Sequence, residues 1–128
     1  MAAYINHGAF DAALNYIKNA VENLYITDDT AAPDTFTKAS DTYKCGVKVT
    51  PPMTGPEGHT SGRKVTVTAI TDGTVACSGT VTAKYFALTD DSESRLLCYQ
   101  ELDSTQTVTN GNTFTLTAVI IAIPDPTA

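Results

Sequence analysis

Turn-forming residues recur roughly every 8–12 residues through most of this sequence, and that spacing limits the possible folds more than any other feature. The segments between the turns are short and rich in Val, Ile, Thr and Tyr, which favour extended backbone. Such a pattern is typical of antiparallel β-sandwiches and jelly rolls, in which each strand reverses direction at a turn. The sequence therefore predicts a mainly β fold, an antiparallel sandwich or jelly roll.

Local signals define the predicted strands and turns. Pro51-Pro52 ends a strand because proline cannot donate to a ladder. Asp72-Gly73 and Asn110-Gly111 are dipeptides that favour hairpin turns. The last strand is apolar on both faces towards its end, so it is placed at the centre of its sheet. The predicted strands cover residues 24–27, 43–50, 63–71, 80–89, 95–102 and 114–123, although Leu and Glu in the fifth also permit a helix.

One helix precedes the strands. Apolar residues spaced four and three apart form a single helical face, which predicts a helix over residues 9–23. Those residues are Phe10, Leu14, Ile17, Val21 and Leu24. The length of 128 residues suits one core. We therefore expect a single domain, residues 1–128, made of an N-terminal arm (1–8), the helix (9–23) and a β-sandwich (24–126).

Two loops are predicted. Residues 28–42 are polar and interrupted by proline. Residues 51–62 contain three Pro and three Gly and form the clearest loop signal in the sequence. A loop of that length in a small domain is usually functional or mobile.

Composition limits the partners. Eight Lys and Arg against fourteen Asp and Glu give a net charge of −6, whereas nucleic acid and anionic membranes require a basic surface. Twenty-two threonines suit strands with one lightly covered face. No secretory signal is expected. Three widely spaced cysteines indicate reduced thiols, with Cys45 and Cys77 buried and inert.

The sequence contains no convincing chemical site. Ser61 lies near His59, but the spacing differs from that of a nucleophile elbow. The pairs Asp28-Asp29 and Asp90-Asp91 lack the order of a calcium loop and are interpreted as solvated turn carboxylates. Phosphate-binding motifs are absent. We expect no catalytic residue, no cofactor and no metal.

The order of several segments resembles a group of small virion proteins of tailed bacteriophages, encoded among the head and tail structural genes. The segments are FDAALNYI (10–17), LYI (24–26), SGRKVTV (61–67), DGT (72–74), SGT (78–80), ALTD (87–90), LL (96–97), VTNGN (108–112) and IPDP (123–126). The resemblance implies a helix followed by a β-sandwich and a role in the virion. Some of these proteins act as capsid cement or decoration proteins, and the family has no catalytic residues.

The resulting hypothesis is a non-enzymatic cement or decoration protein that binds the major capsid protein on the outer shell and stabilises the head. It would be synthesised in the host cytoplasm and form a dimer or trimer, without binding nucleic acid or membrane. The alternatives are a tail or head–tail connector component, a glycan-binding module and, as the weakest, an enzyme. The predicted capsid or oligomer contacts are Tyr4, Ile5, Pro51, Pro52, Met53, His59, Arg63, Ile123 and Pro124.

Overall fold

The computed structural model describes residues 3–127, in which one α-helix, nine β-strands and two short helical turns follow one another. The helix is α1 (His7–Ala20). The strands are β1 (Asn23–Asp28), β2 (Lys44–Val49), β3 (Met53–Gly58), β4 (Arg63–Val67), β5 (Ile70–Val75), β6 (Thr80–Asp90), β7 (Arg95–Thr109), β8 (Thr113–Leu116) and β9 (Val119–Ile123). A π-helical turn (Lys38–Thr42) and a 3₁₀ turn (Asp91–Glu93) complete the elements.

The strands form two antiparallel sheets. The larger sheet has the order β7-β6-β1-β2-β5-β8, and the smaller has the order β3-β4-β9. Strands β7 and β8 lie at opposite ends of the larger sheet, yet only residues 110–112 connect them. Because so short a connection cannot cross a flat six-stranded sheet, the sheet curls into a half-barrel. The predicted class, mainly β with two antiparallel sheets and one N-terminal helix, is confirmed.

Helix α1 packs against the smaller sheet, where it contacts β3, β4 and β9. The Asn6 side chain caps it by accepting a hydrogen bond from the Gly8 N–H at 2.6 Å. The predicted range of 9–23 is wrong at both ends. The helix begins at His7, directly after its N-cap residue Asn6, and ends at Ala20. It stops there because Glu22 exchanges backbone hydrogen bonds with Thr50 and Thr89 of the larger sheet.

The core lies between the helix and the two sheets. Its largest members, such as Phe86 and Phe114, are almost completely excluded from solvent. Helix α1 contributes Leu14, and both sheets supply the rest. The fully buried side chains with the largest volumes are Phe86, Phe114, Leu14, Leu24, Ile26, Ile70, Leu88, Val65, Val67, Val75, Thr27 and Thr89.

The predicted loop over 51–62 is wrong, because half of it forms strand β3 on one edge of the smaller sheet. Its pairing with β4 is irregular between Thr54 and Glu57. Gly55 lies in that irregularity with a φ of 106°, and Pro56 follows it. An edge strand with a bulge tolerates both residues, because the ladder needs no donor at that point. The other predicted loop, 28–42, contains the π-helical turn.

Two predicted strands are each divided between the sheets. The prediction over 63–71 covers β4 of the smaller sheet and the first residues of β5 in the larger. The prediction over 114–123 covers β8 and β9, which both lie at sheet edges and not at a centre. Asp72-Gly73 lies inside β5 and forms no hairpin turn. The chain therefore changes sheet at 68–69 and at 117–118, as strands do at the corners of a sandwich.

The other predictions fit more closely. The strands predicted over 24–27, 43–50 and 80–89 correspond to β1, β2 and β6. The one predicted over 95–102 is the first half of β7. Asn110-Gly111 does form a turn, in which the Asn112 N–H donates to Thr109 O at 3.0 Å. The strands that this turn joins do not pair with each other. Within residues 3–127, no helix is long and apolar enough to cross a membrane.

Candidate functional site

The predicted contact residues fall at two opposite ends of the smaller sheet. Arg63 pairs with both Gly58 and Ile123, so the 59–62 turn and the segment after β9 lie at one end. Met53 pairs with Val67 at the other end. Pro51 and Pro52 directly precede Met53 and so belong to that second end. The structure therefore does not join all nine residues into one surface.

The exposure of these residues differs widely. Tyr4 is 80% exposed and Ile5 is 46% exposed. His59, Pro52 and Pro124 are also exposed, whereas Arg63 is half-buried. Met53 and Ile123 are partly buried and pack against the core. Pro51 is buried, so its ring is not accessible to a partner in this conformation.

Asp125 ties together three distant segments at the first end of the sheet. Its carboxylate accepts a hydrogen bond from the Gly62 N–H at 3.0 Å and lies 2.8 Å from Nε2 of His7. Its own N–H donates to Ser61 Oγ at 3.1 Å. The start of helix α1, the 59–62 turn and the C-terminal segment are thereby connected. We call this group, His7, Ser61, Gly62 and Asp125, the polar clasp.

The hydrogen bonds of the polar clasp favour the ionised form of Asp125. The His7 side chain, and secondly the Gly62 N–H, lower the pKa of the Asp125 carboxyl. A carboxylate with two such donors keeps its charge at mildly acidic pH. The clasp is therefore a charge-assisted connection at neutral pH.

Two further contacts attach helix α1 to the smaller sheet. Arg63 binds the carboxylate of Asp11 through Nε and one terminal nitrogen, at 2.8 and 3.2 Å. Lys18 donates to Gly55 O at 2.8 Å. Paired donors on one guanidinium fix both the distance and the orientation of the carboxylate. Arg63 is thus engaged inside the molecule, although the sequence predicted it to be a contact residue.

Sequence reasoning missed the clasp residues His7 and Asp125 and the partner of Arg63, Asp11. His7 and Asp125 are separated by 118 positions, and Arg63 and Asp11 by 52. Hydrophobic periodicity and turn-forming dipeptides describe residues that are close in the sequence, so neither could identify these pairs. The one available signal was the presence of charged residues in otherwise apolar segments, Asp125 between two prolines and Asp11 on the predicted helix.

A second hydrogen-bonded group surrounds the 3₁₀ turn. Asp91 accepts from Tyr25 Oη at 2.7 Å and from Thr89 Oγ1 at 2.5 Å. Burial, and then the bond to Asp91, raises the pKa of Tyr25. Ser92 Oγ donates to Asp90 at 2.8 Å, and this bond lowers the pKa of Asp90. Asp90 is only 8% exposed, so its interpretation as a solvated turn carboxylate is wrong.

The hydrogen bonds of Ser61 and His59 join segments of the chain in the conformation seen. Ser61 Oγ accepts from the backbone of Asp125, and no hydrogen bond joins it to a histidine within residues 3–127. The His59 N–H closes the turn by donating to Gly62 O at 3.2 Å. The part of the chain that the structure describes contains no group of three or more His, Cys, Asp or Glu able to hold a metal ion.

The cysteines differ in environment. Cys45 is 1% exposed, as predicted, and burial raises the pKa of its thiol to about 12. Cys77 is half-buried, so the prediction that it is buried is wrong. Burial also raises the pKa of Cys98, to about 11. Among the described residues all three thiols are free.

Comparison with known proteins identifies no relative of this chain. No protein-family model matches the sequence, and no curated protein or solved structure matches it either. Function is therefore inferred from the surface of this chain and from the order of its sequence segments.

Proposed function

We propose that this chain is a non-enzymatic virion structural protein of a bacteriophage, which binds the major capsid protein on the outer shell and stabilises the head. One observation supports it most directly. Tyr4 and Ile5 are exposed apolar residues placed immediately before the capped start of helix α1. Aromatic and aliphatic side chains of this kind are the usual anchors of protein interfaces.

The surroundings of these two residues suit an interface. The polar clasp and the Arg63–Asp11 pair attach the start of helix α1 to the smaller sheet. A surface already ordered before binding loses less conformational entropy on association. His59 and Pro124 are exposed at the same end of the sheet and extend the contact area.

The oligomeric state expected of a cement protein and the net charge of this chain both agree with the proposal. Weak contacts become effective when an oligomer engages several symmetry-related sites at once. A dimer, or a trimer on a threefold position, is the simplest assembly with closed symmetry. The net charge of −6 disfavours contact with the packaged genome and so suits an outer-surface location after synthesis in the host cytoplasm.

The copy number of the chain in purified virions tests this proposal. Quantitative mass spectrometry of intact particles gives the ratio of this chain to the major capsid protein. A ratio near one, or a fixed simple fraction of it, is expected for a cement protein. A number that fits a single ring would instead favour a tail or head–tail connector component. Absence from the particle would contradict both structural roles.

A binding assay tests the surface itself. Capsids depleted of the chain are mixed with the wild-type protein or with the double variant Tyr4→Ala, Ile5→Ser, and are then sedimented. Removing two interface anchors is expected to weaken binding by about tenfold or more. The matched control is Val49→Ser, since Val49 is 64% exposed at the end of β2, outside the smaller sheet. Equal binding by all three proteins would exclude the arm from the interface.

A further inference from the structure

A cleft separates the long strand β7 from the segment that contains β8 and β9. Residues 100–106 form one wall and residues 115–120 form the other. Two cavities of about 200 and 280 Å³ share Asp103 and Val119 in their linings, so they lie side by side. We call the two cavities together the edge cleft.

Both walls of the edge cleft are unpaired strand edges. β7 and β8 end the larger sheet and β9 ends the smaller one, so each has one edge outside any ladder in the part of the chain described. Side-chain amides reach across in place of a strand. Nε2 of Gln106 donates to Thr115 O at 2.7 Å, and Nε2 of Gln100 donates to Ile120 O at 3.3 Å. Unpaired edges of this kind are templates for an additional strand.

The two glutamine side chains limit the width of the edge cleft. A fully extended glutamine side chain followed by one hydrogen bond spans at most about 10 Å between backbones, about two interstrand spacings. A single extended segment is therefore the largest occupant that this upper limit admits between the two walls.

A bulge in β7 lies beside the edge cleft. Ala83 of β6 pairs with Gln106 and Tyr85 pairs with Glu101, so residues 102–105 have no ladder partner in β6. Bulges commonly mark the places where an edge strand is shaped for a function. Leu102, Asp103 and Ser104 from this bulge line the cleft.

The side chains of the edge cleft define the chemistry of its occupant. The lining includes the buried apolar residues Leu102 and Leu116. Glu101 and Asp103 are exposed at the rim, where Glu101 Oε1 lies 3.9 Å from Lys84 Nζ, and no Lys or Arg of residues 3–127 lines either cavity. Within residues 3–127, no Lys, Arg or His nitrogen lies within 4.0 Å of Asp103. A segment with alternating apolar and basic residues matches this lining, because successive side chains of a strand point to opposite faces.

We propose that the edge cleft binds an extended, lysine- or arginine-bearing polypeptide segment of a partner protein, which adds as a strand between β7 and the β8–β9 segment. Apolar side chains of the segment face Leu102 and Leu116, and its basic side chains lie beside Asp103. The segment displaces the amides of Gln100 and Gln106 from the carbonyls that they now occupy. A capsid role is not required for this site, since any protein with such a segment can occupy it.

The test is an NMR titration of the ¹⁵N-labelled full chain with the peptide acetyl-Lys-Val-Lys-Val-Lys-Thr-amide. Saturable shifts are expected in the backbone amides of 100–106 and 115–120 and in the side-chain amides of Gln100 and Gln106. The same peptide with every backbone amide methylated donates no backbone hydrogen bond and should not bind. Asp103→Lys should weaken binding about fivefold or more, and Asp103→Asn by less. Asp29→Lys makes the same charge change at an exposed residue of the turn after β1 and should leave binding unchanged.

Several results would overturn the proposal. These are the absence of saturable shifts, equal binding of the methylated peptide, equal effects of Asp103→Lys and Asp29→Lys, and shifts located outside the two walls. Shifts of the cleft amides that depend on protein concentration without peptide would assign the cleft to a second copy of this chain. Binding of oligosaccharides in the cleft, with no binding of the peptide, would assign it to a glycan.

Discussion

Gly62 lies directly against the carbonyl group of Ile123: a Cβ attached to Gly62 would lie 1.9 Å from that oxygen. Gly62 also has a φ of 76°, a conformation that other residues adopt only with strain. Both features arise where the 59–62 turn packs against the C-terminal segment held by Asp125. Glycine is therefore required at this position for two independent physical reasons.

Gly62→Ala is expected to lower the free energy of unfolding by about 3 kcal/mol or more, since backbone strain and steric overlap add. Gly79→Ala is the matched control. Gly79 has a similar φ of 73°, but a Cβ there meets nothing within 4 Å. Gly79→Ala should therefore lower the free energy of unfolding only by the backbone strain, about 1–2 kcal/mol. Urea denaturation of the three proteins measures the difference, and equal losses would show that the contact with Ile123 does not constrain the fold.

Thr27 and Thr89 provide a second matched pair. Both are completely buried, on the neighbouring strands β1 and β6. Thr27 Oγ1 has no hydrogen-bond partner among residues 3–127, whereas Thr89 Oγ1 donates to Asp91. Thr27→Val should raise the free energy of unfolding by about 1 kcal/mol, because an unsatisfied hydroxyl is replaced by a methyl group. Thr89→Val should lower it by about 1.5–3 kcal/mol. Thermal and urea unfolding measure both, and a loss in Thr27→Val would reveal a partner for that hydroxyl.

Local pattern was sufficient to predict most of the strands and the fold class, because strand alternation and turn dipeptides act over a few residues. It failed where the chain changes sheet and where a turn-forming dipeptide lies inside a strand. Asp72-Gly73 has the sequence of a hairpin turn, yet Gly73 pairs with Phe114 inside a sheet. A Cβ on Gly73 would lie 2.2 Å from the Phe114 ring. This glycine therefore provides space for an aromatic ring, a role that depends on a residue far along the chain.

The candidate site was predicted less well than the fold. Apolar residues before a predicted helix are visible in a sequence, so Tyr4 and Ile5 could be proposed as contact residues, and the structure shows both exposed. The polar clasp and the edge cleft depend on which strands become neighbours, and the sequence does not record that directly. Pro51 illustrates the problem, because proline was interpreted as a loop contact and is buried in the structure.

The three thiols should react at different rates with iodoacetamide near pH 8. Cys45 and Cys98, with thiol pKa values raised by burial to about 12 and about 11, form little of the reactive thiolate. Cys77 is half-buried at the start of the turn before β6 and should be alkylated first. Peptide mass spectrometry over time gives the order, and a sample in denaturant, where all three should react alike, is the control. Alkylation of Cys45 before Cys77 in the folded protein would contradict the burial described.

The polar clasp should make stability depend on pH in the acid range. Hydrogen bonds from His7 and then Gly62 lower the pKa of Asp125 in the folded state, so the unfolded chain binds this proton more tightly. The resulting stabilisation is complete above the ordinary aspartate pKa of about 3.9 and is lost as the pH falls through the lower folded-state value. Asp125→Asn removes the titrating group. The difference in unfolding free energy between wild type and this variant should therefore shrink as the pH falls below about 3.9.

Urea denaturation at several pH values measures this difference directly. Asp29→Asn serves as the control, because Asp29 is exposed and forms no ion pair with any described residue. Its stability should follow that of the wild type across the whole range. Other carboxyls with lowered pKa values, such as that of Asp90, affect all three proteins equally and cancel in the comparison. A difference between wild type and Asp125→Asn that stayed constant or widened towards low pH would show that Asp125 does not hold the clasp through its charge.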